Sequence, residues 1–247
     1  MTTLPLPTGF DISWPPNEGA SRHANVDGDI IVYRCAFAAE KEPIEYALQT
    51  AKEFTRDIIR RSGSDTWTVH LTGPEETQFR QSIATIQPYK GNRSGRDRPK
   101  WYQQVRDYLV DRFNGYVHPV IEADDAMSIS SYFSIDPSDP KFSNIGWSPP
   151  CDTEHVICSI DKDLRGVRGG LLFDWQEDKP SRQEPLDAAR WFYQQCLTGD
   201  SVDHIKGLSL TRPESKELGI RSMGPKNEAV VSLAEETNES ALYERVI

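Results

Sequence analysis

Four short apolar runs in this chain each end in or lead into a cluster of carboxylates, and this repetition constrains the fold more than any other feature. Asp27 and Asp29 belong to Val26-Asp27-Gly28-Asp29-Ile30-Ile31-Val32, and Glu122, Asp124 and Asp125 follow Tyr116-Val117-His118-Pro119-Val120-Ile121. Asp161 and Asp163 follow His155-Val156-Ile157-Cys158-Ser159-Ile160, and Asp200 and Asp203 follow Cys196-Leu197-Thr198-Gly199. Short apolar runs of this kind read as buried strands of a parallel sheet, and open α/β sheets carry their functional groups at the carboxyl ends of the strands. The nine carboxylates are therefore expected on one rim. Left bare they would repel and raise one another's pKa values, so the arrangement calls for divalent cations between them. A two-metal site for phosphodiester chemistry is the reading that follows.

Strand and helix signals alternate, which predicts an α/β fold with a parallel sheet flanked by helices. The first strand is expected from Ala24 to Tyr33, and a helix from Glu42 to Arg61 presents Ile44, Leu48, Ala51, Phe54 and Ile58 on one face. A strand follows at Trp67 to Leu71, then a helix from about Glu75 to Ala84. Helical spacing resumes at Trp101, Val105, Tyr108, Leu109 and Phe113, a strand leads to Glu122, and a helix starts near Ala123. Pro137 to Pro150 reads as a surface excursion, Leu186 to Leu197 as an amphipathic helix, and everything beyond Thr198 as helices and loops. The resulting division is a Pro-rich N-terminal tail over 1–22, a catalytic domain over 23–197, and a C-terminal helical subdomain over 198–247.

The net charge of −10 argues against a nucleic-acid partner at first sight, since such partners usually select a basic surplus. Setting the nine clustered acids aside leaves 29 of the 38 Asp and Glu against 28 Lys and Arg, which is near neutrality. Between Lys90 and Arg106 the chain carries Lys90, Arg93, Arg96, Arg98, Lys100 and Arg106 against Asp97 alone, a local basic arm. Cysteines 35, 151, 158 and 196 have no Cys-x-x-Cys spacing, so neither a zinc site nor a disulfide framework is indicated and a reducing cytoplasm is the expected setting. No stretch approaches the ~20 apolar residues of a membrane span. His23, His70, His118, His155 and His204 are widely spaced in sequence and read as structural.

Three motifs together resemble the 5′ nucleases of the 5′-3′ exonuclease and flap endonuclease family, most closely its bacteriophage branch. They are Glu122-Ala123-Asp124-Asp125, Asp161-Lys162-Asp163-Leu164, and Thr198-Gly199-Asp200-Ser201-Val202-Asp203-His204-Ile205-Lys206-Gly207. A lone acidic pair after a strand is more often a helix cap, but three in the family's order form a pattern. Tyr89-Lys90-Gly91-Asn92-Arg93 is similar to the base of the family's helical arch, expected over about 86–104, and Gly219-Ile220-Arg221-Ser222-Met223-Gly224-Pro225-Lys226 is similar to the hairpin of its helix-three-turn-helix (H3TH).

The resemblance spans about residues 24 to 234 and implies a PIN-like catalytic domain with a C-terminal H3TH subdomain that binds DNA. It implies two Mg²⁺ ions, with Mn²⁺ able to substitute: Asp27, Glu122 and Asp124 on one, Asp161, Asp163 and Asp200 on the other, with Asp125 and Asp203 bridging. Lys90 and Arg93 would act on the scissile phosphate, Tyr89 would stack on a terminal base, and Arg96, Arg98 and Lys100 would gather the single-stranded 5′ end. Gly224 and Lys226 would hold duplex phosphates, at a hairpin that in the family also carries K⁺. The implied partner is DNA with a 5′ end, flap or single-strand/duplex junction, or an RNA–DNA hybrid, met by a monomer in replication or repair. Two departures stand out. Gly73 occupies the position of a family aspartate, for which Asp29 is the nearest replacement, and Ser209 to Leu218 is an insertion before the hairpin. A DNA-junction binder with little or no catalysis and a PIN-type RNase remain open as alternatives.

Overall fold

A computed structural model describes residues 21–84, 88–91, 97–131, 153–167, 170–200, 202–203, 205–206, 236 and 238–246. The sheet is organised by β1 (Arg22–Asp27), every residue of which is buried. Its alternation puts Ala24 and Val26 on one face and His23, Asn25 and Asp27 on the other. Parallel partners stand on both sides, β2 (Thr66–Thr72) and β4 (Glu154–Cys158), with β3 (Gly115–His118) outside β2 and β5 (Leu171–Asp174) outside β4. An antiparallel edge strand, β6 (Lys179–Arg182), completes a six-stranded mixed sheet of order β3-β2-β1-β4-β5-β6. Pro180 is tolerated in β6 because an edge strand can spare an N–H.

Ala24, Val26, Val69, Leu71, Val156, Cys158, Leu171 and Phe173 make the apolar face and join one core with α1 (Gly28–Ala38), α2 (Ile44–Arg61) and α4 (Tyr102–Arg112). A short α3 (Phe79–Ile83) lies between β2 and α4 in the chain, preceded by a 3₁₀ turn at Glu75–Thr77, where a single helix was expected. The first strand is also shorter than its apolar run. It stops at Asp27, whose carboxylate accepts the Ile30 N–H at 3.1 Å and caps α1. Ile30-Ile31-Val32 are therefore helical, because a short buried apolar run fits either element and the cap decides. Gly28 allows the turn: a Cβ there would lie 2.6 Å from the His70 carbonyl oxygen.

The opposite face of the sheet is polar and is covered by α5 (Ala123–Ser131). Four histidines distant in sequence meet there. His118 Nε2 and His70 Nδ1 are 2.9 Å apart, His70 Nε2 is 3.1 Å from Asn25 Oδ1, and Asn25 Nδ2 is 3.1 Å from His155 Nδ1. His23 reaches Thr66 at 2.8 Å and Thr68 at 3.1 Å. With the Asn25 amide in this orientation, His70 donates from Nε2 to Asn25, accepts from His118 at Nδ1, and His155 accepts from Asn25. In this arrangement His70 donates from one ring nitrogen and accepts at the other, which is the pattern of a neutral imidazole. Burial, with His155 nearby, lowers His23 to about 4; burial lowers His118 to about 4; burial and the neighbouring histidines hold His70 well below its ordinary value.

The described residues fall into two compact units. The described residues within 21–77, 98–161 and 170–182 carry the sheet, and those within 78–97, 162–169 and 183–247 form the second unit. Its described elements are α3, a 3₁₀ turn at Lys162–Gly166, α6 (Pro185–Thr198), the ribbon of β7 (Gly199–Asp200) with β8 (Ile205–Lys206), and α7 (Glu239–Val246). Ala189, Leu197 and Leu242 form its small core with Leu186 and Tyr193. The β7–β8 ribbon and the β5–β6 hairpin are additions to the expected elements. Their strands of two to four residues are too short to show a period. The expected excursion at 137–150, the expected insertion at 209–218, the expected H3TH hairpin with Gly224 and Lys226, and the N-terminal residues to 20 lie outside the described residues. No helix among those described is long and apolar enough to cross a membrane.

The lowered histidine pKa values set a sign for acid sensitivity. The unfolded chain protonates near 6.5 and the native rings only near 4, so native stability is full above 6.5 and is lost as pH falls toward 4. Each ring contributes on the order of 1–2 kcal/mol by pH 5. Asp27, described below, works in the opposite direction. In an Asp27→Asn background, the denaturant midpoint should therefore fall from pH 7 to pH 5, and His118→Gln should flatten that fall.

Candidate metal centre

Strand order reverses between β1 and β4, and the carboxyl ends of these strands are where an open sheet leaves a crevice. Asp27 ends β1 there, only 6% exposed. Ser159, just past β4, donates its hydroxyl to Asp27 Oδ2 at 2.7 Å and accepts the Asp161 N–H at 3.0 Å. Burial and the Asp29 carboxylate raise Asp27 to about 7, with Asp161 adding to the push, against the opposing bonds from Ser159 and Ile30. Ser159 was not singled out in the sequence, where a serine after a strand carries no signal.

Thr72, at the end of β2, joins two of the carboxylate-bearing segments to each other and to α4. Its N–H donates to Asp29 at 3.1 and 3.3 Å, its carbonyl accepts from Arg106, and its hydroxyl accepts the Ala123 N–H at 2.9 Å. Arg106 closes the ring by donating to Asp29 at 3.2 Å. Because β1 has already ended, side chains from α1 and α4 satisfy backbone groups that a strand would otherwise pair. Asp29 thus acts as a tie between α1 and β2. At the start of α5, Glu122 is buried, Asp125 accepts the Glu122 N–H at 3.1 Å as in a capping box, and Asp124 accepts the Asp125 N–H at 2.8 Å. These acids face the positive end of a helix dipole.

Gly73 has a steric explanation. Its N–H donates to the His118 carbonyl at 2.9 Å, and a Cβ would lie 2.4 Å from that same oxygen. An aspartate here would drive β2 and β3 apart.

In the second unit, Lys162 donates to Asp163 at 3.0 Å and also to Asp200, while Gln195 donates to Asp163 at 2.6 Å. Asp200 further accepts the Val202 N–H at 2.7 Å and the Asp203 N–H at 3.3 Å. Burial alone would raise Asp200, but Lys162 and these N–H groups outweigh it and hold the carboxyl below its ordinary value. Tyr89, expected to offer an open ring, is buried; its hydroxyl donates to Asp203 at 3.0 Å, and Lys90 and Arg80 lie 4.9 and 5.8 Å from its ring centroid. Lys90 has φ 53° and donates its N–H to the Asp203 carbonyl at 3.1 Å, so the Tyr89–Lys90 segment is bonded directly to Asp203 through both backbone and side chain.

Arg98 and Lys100 are exposed in the sheet-bearing unit, over the rings of Tyr102 at 4.7 Å and Trp101 at 4.2 Å. Arg93 and Arg96 lie outside the described residues.

Among the described residues no three His, Cys, Asp or Glu side chains are already gathered as a ligand cluster. The donor chemistry nevertheless suits a hard divalent cation. All nine candidate groups are carboxylates, and ionisation of Asp27 is opposed by burial and like charge, a penalty that a bound cation reverses.

This sheet and its flanking helices are the fold of the 5′ nucleases. The solved structures that match include the T5 D15 protein co-crystallised with metal ions, at TM-score 0.54 and 14% identity over 92% of this chain and 88% of that one. The T5 5′-exonuclease with divalent zinc bound matches at TM-score 0.53 and 14% identity, over 92% and 87%. No family model matches the sequence. No curated protein matches it either.

Gly73→Asp is expected to lower stability by about 1–3 kcal/mol through the forced separation of β2 and β3, read as a lower thermal midpoint. It should bring no gain in divalent-cation binding by calorimetry. A stable variant with tighter binding would show that the position can take a ligand.

Proposed function

We propose that this chain is a divalent-metal-dependent 5′ nuclease that hydrolyses DNA phosphodiester bonds at 5′ ends, nicks or flaps. The observation that carries the reading is Asp27, a buried carboxylate at the switch point of a 5′ nuclease fold, pressed by Asp29 and Asp161 toward a state that a cation would relieve. Asp27, Glu122, Asp124, Asp125 and Asp161 are the candidate ligands of the sheet-bearing unit, and Asp163, Asp200 and Asp203 those of the second unit. Oxygen-only donors favour Mg²⁺ or Mn²⁺. Such ions supply an activated water and charge stabilisation at the leaving oxygen. The chain's own contributions are positional and electrostatic. Ser159 fixes one Asp27 oxygen, leaving the other bonded by Ile30 N–H. Thr72 and Arg106 hold the start of α5 and Asp29 in register with β2. Lys90 and Arg93 place positive charge for the phosphate, and Arg98 and Lys100 offer cations for a single strand, with the half-buried Trp101 ring beside Lys100. Lys226 and Gly224 are assigned to the duplex, with K⁺ at that hairpin, and an RNA–DNA hybrid is a further substrate.

The test uses a 5′-flap and a nicked duplex, each labelled at both ends, in Mg²⁺, Mn²⁺, Ca²⁺ or EDTA. Cleavage is expected with Mg²⁺ and Mn²⁺ and none in EDTA. Binding in Ca²⁺ without product under any metal would make the chain a junction binder, and preference for RNA would favour the RNase reading. Asp161→Asn should reduce cleavage by more than about 100-fold while leaving DNA binding measurable, and Lys90→Ala should lower kcat more than it raises KM.

A further inference from the structure

Lys162 stands between the two acids of its own motif, and its ammonium does not point away to water. It donates at once to Asp163, at 3.0 Å, and to Asp200, a carboxylate only 8% exposed. Gln195 donates to the same Asp163 oxygen as Lys162, and two backbone N–H groups hold the other oxygen of Asp200, so both acids that Lys162 uses are held in place by other bonds. The Lys162 side chain remains 45% exposed, so it can swing out into water without unfolding anything. A compact cation held by two ordered carboxylates occupies the electrostatic position that a divalent ion would need.

We propose that Lys162 is an intramolecular counter-ion that closes the Asp163–Asp200 pair in the metal-free protein and competes with a divalent cation for it. This rests on the metal-dependent reading above and adds to it. Without a metal the ammonium prevents repulsion between the two acids. When a cation enters, Lys162 must leave, so this pair fills after any ligand set that lacks such a competitor. A lysine is suited to this exchange because its flexible stem releases a point charge, where a forked guanidinium would hold two oxygens together.

The experiment titrates Mn²⁺ into the EDTA-stripped, dialysed full chain by calorimetry, comparing the wild type with Lys162→Met, Lys162→Gln and Lys162→Arg. Removing a positive charge in direct contact with the site should tighten the weaker class of Mn²⁺ sites on the order of tenfold in Met and Gln. Arg, which keeps the charge and holds both oxygens, should bind Mn²⁺ at these sites no more tightly than the wild type. The metal-free Met and Gln variants should melt at lower temperature than the wild type and regain the difference on Mn²⁺ saturation. Unchanged or weaker Mn²⁺ binding in folded Met and Gln variants overturns the proposal while leaving the metal-dependent reading intact. Absence of Mn²⁺ binding in wild type and variants alike overturns both.

Discussion

One carboxylate governs the organisation of the sheet-bearing unit. Asp27 ends the central strand, caps the following helix, and is buried where strand order reverses. Its three tasks are coupled. Capping requires an ionised or strongly accepting oxygen toward Ile30, while burial and the charges of Asp29 and Asp161 oppose ionisation. Ser159 compensates only in part. A group kept near the midpoint of its titration in this way is a common sign of a functional site, because a structural cap gains nothing from deep burial beside like charge.

The surroundings of Asp27 explain why so much polar chemistry lies beneath the rim. The sheet has one apolar face, built on Val26, Leu71 and Phe173, and one polar face, built on Asn25, His70, His118 and His155. The polar ladder runs across β3, β2, β1 and β4, the strands whose ends carry or lead to Glu122, Thr72, Asp27 and Asp161. Buried hydrogen bonds are directional, so they add to apolar packing in fixing strand register, because a slipped strand would leave these polar atoms without partners. The Gly73–His118 contact belongs to the same scheme, as the approach of β2 to β3 leaves no room for a side chain.

Charge balance is handled differently in the two units. The sheet-bearing unit places Arg106 on Asp29 and leaves Asp27 buried among like charges. The second unit shares one lysine, Lys162, between Asp163 and Asp200 and ties Asp203 to Tyr89. A net charge of −10 on the chain is thus compatible with an anionic partner, because several of the acids have partners within the chain and the basic residues from Lys90 to Lys100 are concentrated in one segment.

The sequence by itself determined the elements whose signals are local: the amphipathic α2, the buried runs of β2 and β4, and carboxylates placed after strands in a repeating order. It also determined the 5′ nuclease resemblance of the fold, because the acidic motifs occur in series. Tertiary structure decided whatever depends on contacts between distant residues. The switch from strand to helix at Gly28 rests on a cap and on the closeness of His70, neither visible in an apolar run. The gathering of four histidines, the use of Asp29 as a tie, the burial of Tyr89 and the exclusion of a side chain at Gly73 all come from neighbours 40 or more residues away. A carboxylate's identity is written in the sequence, but its role depends on which donors reach it, and those arrive only when the chain folds.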